Sequence, residues 1–249
     1  GEKDSYIPHT FRMYSLNKHY PERDGSHELM QSKNTVRTPK LDGLASSLLY
    51  VNGSLAQALT RGDGHKGRPI TDKAAVLVPN ELSELGGVVQ VTGEMVADID
   101  VEHSRNAASG SFGLDKGFEA RAKEIGLVFV AYDIISESLN FDTYTEKLQF
   151  LSSLGFETIL TVDASKYPTD GEVIRMDNEA AFKNLGYTDK FPRGAIAIKT
   201  VSEVKSTKLL DVIWQTGSSG RITPVAILEP LELGDATISR ATLNNIAYI

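Results

Sequence analysis

Asn52-Gly53 lies between two apolar runs, with Leu48, Leu49, Tyr50 and Val51 on one side and Ser54 to Ala58 on the other. A two-residue connection of this kind needs positive φ at both positions, which Asn and Gly tolerate and most residues do not. The chain therefore has to double back here as an antiparallel hairpin. That hairpin follows directly on Lys40-Leu41-Asp42-Gly43, so a potentially reactive lysine stands just upstream of a fixed sheet.

The rest of the chain alternates between strand and helix signals. Gly87 to Thr92 reads as a strand ending at Gly93-Glu94, and Leu127 to Tyr132 as an apolar strand. Residues 115–125 look helical, stopped by Gly126. For residues 144–154 the helix signal is stronger: Thr143 and Glu146 have the spacing of a capping box, Leu148 and Leu151 share a face, and Gly155 closes it. A strand over Val173–Met176, a short helix from Glu179 to Leu185 and a strand from Gly194 to Lys199 follow. Residues 1–36 are a polar, mixed lead-in. From Leu209 only strands and turns remain, as at the start of a small β-barrel or sandwich, with too few residues to complete a five-stranded barrel. The fold class is α+β, with antiparallel sheets and helices in residues 1–205, joined near 201–208 to the opening part of a barrel in 206–249.

Composition narrows the function classes. A net charge of −7 speaks against a protein that grips nucleic acid by bulk charge, although it leaves room for a local basic groove. The chain has no cysteine, hence no disulfide and no thiolate-held zinc. It has no apolar run of bilayer length and no signal peptide, so a cytoplasmic setting without membrane contact is expected. It opens on Gly1 instead of Met, as a fragment or a trimmed tag would.

A lysine is a nucleophile only when its amine is neutral. With an ordinary pKa of about 10.4, holding it neutral at pH 7 costs roughly 4–5 kcal/mol. Neighbouring cations reduce that cost and can also hold phosphates; Arg61, Arg175 and Lys199 are the candidates. Read alone, Lys40-Leu41-Asp42-Gly43 equally fits a solvated lysine before a turn. The same plain readings exist for Glu94 at a strand end and for Tyr132 as a core tyrosine.

The succession of motifs carries more than any one of them. PKLDGLA is followed by LTRGDG (59–64), TGEMV (92–96), SRNAASGS (104–111), FVAYD (129–133), TDGEVIRM (169–176), LGYTDKFPRGAIAIK (185–199), TGSSGRITPVAILEP (216–230) and ISRATLNN (238–245). This order resembles the NAD-dependent DNA ligases of nucleotidyltransferase fold from about His9 to Asn245. The resemblance implies an adenylation domain followed by an OB-type barrel, with NAD as AMP donor, Mg²⁺ as cofactor and nicked double-stranded DNA as substrate. It implies that Lys40 is the adenylated nucleophile and that Asp42 orients it. Arg61 then contacts phosphate and ribose, Glu94 binds the ribose hydroxyls, and Tyr132 stacks on adenine. Asp170, Arg175 and Lys199 belong to the last nucleotide-binding motifs, Lys199 touching the α-phosphate. Ser15, Leu16 and Thr38 border the adenine pocket, Arg105 and Asn106 lie in a loop, SRNAASGS, that contributes to the catalytic pocket and faces the nick, and Glu94 and Asp170 are the candidate metal ligands.

The chain departs from that pattern at several positions. Thr38 stands where the family has a glutamate that accepts from the adenine amino group. Arg175 replaces a catalytic lysine, exchanging a point charge for a planar fork. Glu172 replaces an apolar residue and Arg68-Pro69 an acidic pair. Gly113 and Ser218 replace arginines, which implies weak DNA binding by this chain alone. The family's N-terminal nicotinamide-binding domain, the rest of its barrel, its zinc finger, helix-hairpin-helix and BRCT regions are not recognisable. A fragment, or a split and divergent viral ligase acting in the host cytoplasm with a second subunit, is the expectation. An ATP-dependent polynucleotide or RNA ligase, and a non-catalytic scaffold of the same fold, are the alternatives.

Overall fold

A computed structural model describes residues 5–200, 205–216, 220, 222–233 and 236–243. The chain forms two compact units, Gly1–Thr200 and Val201–Ile249.

The first unit carries the strands β1 (Ile7–Pro8), β2 (Asn17–His19), β3 (Thr35–Leu41), β4 (Leu44–Val51), β5 (Ser54–Thr60), β6 (Lys66–Gly67), β7 (Val88–Val96), β8 (Val128–Ser136), β9 (Glu157–Thr158), β10 (Thr169–Met176) and β11 (Ala195–Ile198). A five-stranded sheet has the order β5-β4-β7-β8-β9 and a four-stranded sheet the order β2-β11-β10-β3. Each is antiparallel except for one short parallel pair, β8 with β9 and β11 with β2. The expected hairpin is β4–β5: Val51 pairs with Ser54, and Asn52 and Gly53 have φ of 48° and 84°.

The main core lies on the five-stranded sheet. Leu48, Tyr50, Val89, Val91, Val130 and Ala131 are fully buried there, joined by Leu148 and Leu151 from the helix Tyr144–Ser153. A smaller cluster of Leu29, Ile174 and Ile196 belongs to the four-stranded sheet. The chain crosses from one sheet to the other at Asp42-Gly43, between β3 and β4, so Lys40, next to last in the edge strand of one sheet, lies a few residues before the start of the other. β3 falls on a stretch whose polar composition gave no strand signal. It accommodates Pro39 because an edge strand can spare the missing N–H.

The helix from Tyr144 has the expected cap. Thr143 Oγ1 accepts from the Glu146 amide at 3.1 Å, and Glu146 Oε2 accepts from the Thr143 amide at 3.3 Å. Thr143→Ala removes one half of this exchange. It is expected to destabilise the chain by about 1 kcal/mol and to lower Tm by about 2–4 °C in a melting experiment. The segment SRNAASGS, expected as a loop, is the helix Ser104–Ser111. Ala107 and Ala108 are good helix formers, and burying Ala108 outweighs the turn preference of Ser, Asn and Gly. The helix expected over 115–125 is shorter, Phe118–Glu124.

The second unit is an antiparallel meander of β12 (Leu209–Thr216), β13 (Ile222–Leu233) and β14 (Ala236–Thr242). Its register slips between Ile227 and Leu231, where Pro230 cannot donate to the ladder. Val225 and Ala226 are buried, whereas Leu210 and Trp214 are more than half exposed. The sheet is open among the described residues. Ser218 and the end of ISRATLNN fall outside them.

Candidate active site

Two irregularities in the ladders aim the site. In the four-stranded sheet, Thr169 pairs with Leu41 and Glu172 with Pro39, so Asp170 and Gly171 together face Lys40. A bulge of this kind re-aims the side chain it carries. Gly171 has φ of 134°, and a Cβ there would lie 2.1 Å from the Ile198 carbonyl oxygen, so only glycine lets β10 run this close to the end of β11. As a result Asp170 meets both site lysines, with Lys40 Nζ at 3.0 Å from Oδ1 and Lys199 Nζ at 2.8 Å from Oδ2. Burial pushes the Asp170 carboxyl up, but the hydrogen bonds from Lys199 and Lys40 outweigh it and hold the group below the usual carboxylate range.

In the five-stranded sheet, Thr92 pairs with Asp133 and Gly93 with Ala131, which leaves Tyr132 as the extra residue of a second bulge. Tyr132 lies close enough to feel the charges of Glu94 and Arg61, and burial raises its hydroxyl pKa far above the ordinary value. Glu94, which pairs with Val130 next to this bulge, accepts from the Gly43 amide at 3.2 Å. Asp42 pairs with Arg105 Nε at 3.2 Å, and burial raises its carboxyl against the pull of Arg105. Lys40, Asp42, Arg61, Glu94, Arg105, Tyr132, Asp170 and Lys199 thus form one neighbourhood. Such a set can hold a polyanion and present an amine to it.

Other expected residues are placed differently. Arg175 does not join Lys40. Its Nη1 donates to Glu179 Oε1 at 2.6 Å, and its guanidinium lies against the rings of Tyr144 and Phe182. The expectation that it acts beside Lys40 is corrected on that ground: the fork is consumed by a buried acid that begins the next helix. Ser15 and Leu16 line an open cavity of about 420 Å³ with Arg12, Lys18, Asp63 and Lys190, and Lys40 is not among its walls. Asn106 is exposed on the helix that carries Arg105, and Thr38 is buried in β3.

His9 was not singled out in the sequence reading. Its Nε2 lies 2.9 Å from the Arg61 carbonyl and its Nδ1 3.0 Å from Ser47 Oγ. A carbonyl only accepts, so in the neutral ring Nε2 carries the proton and Nδ1 accepts from Ser47. This ties the lead-in to the turn that bears Arg61.

Residues 3–166 match the profile of the NAD-dependent DNA ligase adenylation domain, and residues 206–249 that of the NAD-dependent DNA ligase OB-fold domain. The chain belongs to the NAD-dependent DNA ligase family. It is 35% identical to the DNA ligase of Helicobacter pylori strain G27, over 97% of this chain and 43% of that protein. It is 36% identical to the DNA ligase of Alkaliphilus oremlandii, over 83% of this chain and 36% of that protein. The chain therefore spans less than half the length of these ligases. Among solved structures, mycobacterial DNA ligase D complexed with ATP and MES aligns with a TM-score of 0.45 and 14% identity, over 86% of this chain and 68% of that one. Among the described residues no helix is long and apolar enough to cross a membrane.

Within this neighbourhood, Glu94 gives a pH signature. Burial raises its carboxyl from 4.5 to about 7, against the opposing pull of Lys40, the Gly43 amide and Arg61. A carboxyl whose folded pKa is raised contributes stability below its unfolded value near 4.5, and that contribution is lost as pH rises through about 7. Glu94→Gln does not ionise. It is expected to melt above the parent at pH 8, with the difference vanishing at pH 4. Parallel melts at the two pH values check this, and a difference independent of pH would contradict it.

Proposed function

We propose that this chain is the adenylation core of an NAD-dependent DNA ligase, with Lys40 as the nucleophile. The observation that carries the proposal is the convergence of Lys40 and Lys199 on Asp170, with Glu94, Arg61 and Tyr132 alongside. In the nucleotide-free state Asp170 holds both ammonium groups. Incoming phosphate competes for Lys199 and loosens the hold of Asp170 on Lys40, which reacts once its ammonium has passed its proton to solvent. The neutral amine then attacks the α-phosphorus of NAD. A P–N bond forms, the bond to the bridging oxygen breaks, and nicotinamide mononucleotide leaves with that electron pair. Lys199 and Arg61 offset the charge that builds on the phosphate oxygens. In the later steps AMP passes to a DNA 5′-phosphate and is displaced by a 3′-hydroxyl, with Arg105 and Asn106 facing the nick. Residues 1–205 serve as the adenylation body and 206–249 as the beginning of the barrel. A second polypeptide carrying further ligase domains belongs to the same proposal, and the mass of the native complex tests it.

Mg²⁺ fits the expected ligands poorly. Both Asp170 oxygens are engaged by lysines, Glu94 is pushed toward its neutral form, and no three acidic or histidine side chains among the described residues converge as a metal site. An ion of this kind that arrives with the donor's phosphates and keeps its water needs no such cage. The experiment is to mix the chain with NAD or ATP, with Mg²⁺, and to weigh it intact. A gain of one AMP from NAD with release of nicotinamide mononucleotide supports the proposal. A gain from ATP alone moves the chain to the ATP-dependent ligases.

A further inference from the structure

Glu179 opens the helix Glu179–Leu185 and is almost fully buried. It accepts from Arg175 Nη1 at 2.6 Å and pairs with Lys147 Nζ at 3.2 Å. Lys147 also donates to Asp133 Oδ1 at 3.1 Å. The Arg175 guanidinium lies 4.0 Å from the ring centroid of Tyr144 and 3.9 Å from that of Phe182. Tyr144 in turn donates its hydroxyl to the carbonyl of Tyr132 at 2.6 Å. Two arms therefore leave Glu179. One runs through Lys147 to Asp133, the other through Arg175 and Tyr144 to Tyr132, and they end on successive residues of the β8 bulge.

That end point gives the network its role. Tyr132 is skipped by the β7–β8 ladder, so the orientation of its ring depends on whatever else holds its backbone. Tyr144 supplies that hold directly, and Lys147 fixes the neighbouring residue. Four charged groups, Arg175 and Glu179 buried and Lys147 and Asp133 partly so, are a poor way to gain stability, since apolar residues of similar volume generally do as well. They are a good way to define a single geometry, because each donor accepts only one arrangement of partners.

We infer that Glu179 and Tyr144 are positioning residues for nucleotide binding, locking the β8 bulge so that Tyr132 presents its ring to the base. This rests on the reading of Tyr132 as the residue that stacks on adenine. It also accounts for Arg175, which sits in a catalytic motif yet points its charge away from Lys40.

The test is calorimetric titration of the full chain with AMP, comparing the parent with Tyr132→Ala, Tyr144→Phe and Glu179→Gln. Tyr132→Ala is expected to raise the Kd about tenfold, as loss of one stacking contact does. Tyr144→Phe and Glu179→Gln are each expected to raise it about fivefold, the effect of one hydrogen bond, with stoichiometry unchanged. A role confined to stability would lower the binding-competent fraction and leave Kd alone. In the double variant Tyr132→Ala/Tyr144→Phe, the second change should add nothing, because its effect runs through the ring already removed. If Tyr132→Ala weakens binding while Tyr144→Phe and Glu179→Gln bind as the parent does, the inference is overturned and the stacking role of Tyr132 stands. If Tyr132→Ala binds as tightly as the parent, or the parent does not bind AMP, the stacking reading itself fails and takes the inference with it.

Discussion

Lys40→Ala is expected to give a protein that folds like the parent and takes up no AMP. The lysine is the only group in the neighbourhood whose removal deletes the bond-forming atom, so the rate of adenylation should fall by about 10⁴-fold or more. Stability should barely change. The Lys40 side chain is 27% exposed, its partner Asp170 keeps Lys199 at 2.8 Å, and a pair this accessible contributes about 1 kcal/mol or less. Intact mass after incubation with NAD, set beside a melting curve, separates the two effects. Uptake of AMP by the variant at the parent's rate would remove Lys40 from the mechanism.

Gly43→Ala is expected to damage both fold and site. A Cβ at this position would lie 2.0 Å from the Met95 carbonyl oxygen and 2.9 Å from Val96 Cγ1. Met95 and Val96 are fully buried, and Leu44 pairs with Met95 in the β4–β7 ladder, so the backbone has no room to give. The collision should destabilise the chain by about 3 kcal/mol, lowering Tm by roughly 10 °C. The displaced Gly43 amide also loses Glu94, so adenylation should fall in the fraction that remains folded. Gly86→Ala is the matched control. Nothing lies within 4 Å of a Cβ there, and its Tm should stay within about 2 °C of the parent. Equal melting of the two variants would contradict the close approach of Gly43 to the end of β7.

How much of this was readable before the structure depends on where each signal resides. The hairpin at Asn52-Gly53 and the capping box at Thr143 and Glu146 are local: a few adjacent residues specify the geometry, and both were found. Lys40, Asp42, Glu94, Asp170 and Lys199 were recognisable by chemical type and motif order, and the structure gathers them. Their mutual geometry was not readable. A bulge is a relation between two strands, and the sequence around Tyr132 carries no mark of the skipped pairing. Gly171 was the one available sign of the bulge that turns Asp170 to Lys40. Arg175 was expected as a cation beside Lys40. Its destination depends on Glu179, four residues on, and on Lys147 and Tyr144 from a helix that only folding brings alongside. The resemblance implied a loop at Ser104–Ser111, and the fact that makes it a helix, the burial of Ala108, is tertiary.

The central claim is that one particular lysine takes the AMP, and the competing lysine is close by. Lys40 and Lys199 share Asp170 and are both within hydrogen-bonding distance of it. The most direct measurement is to incubate the chain with NAD and Mg²⁺, digest it, and locate the AMP-bearing peptide by tandem mass spectrometry. The account predicts AMP on the peptide containing Lys40 and an unmodified Lys199. AMP on Lys199 with Lys40 untouched would contradict it.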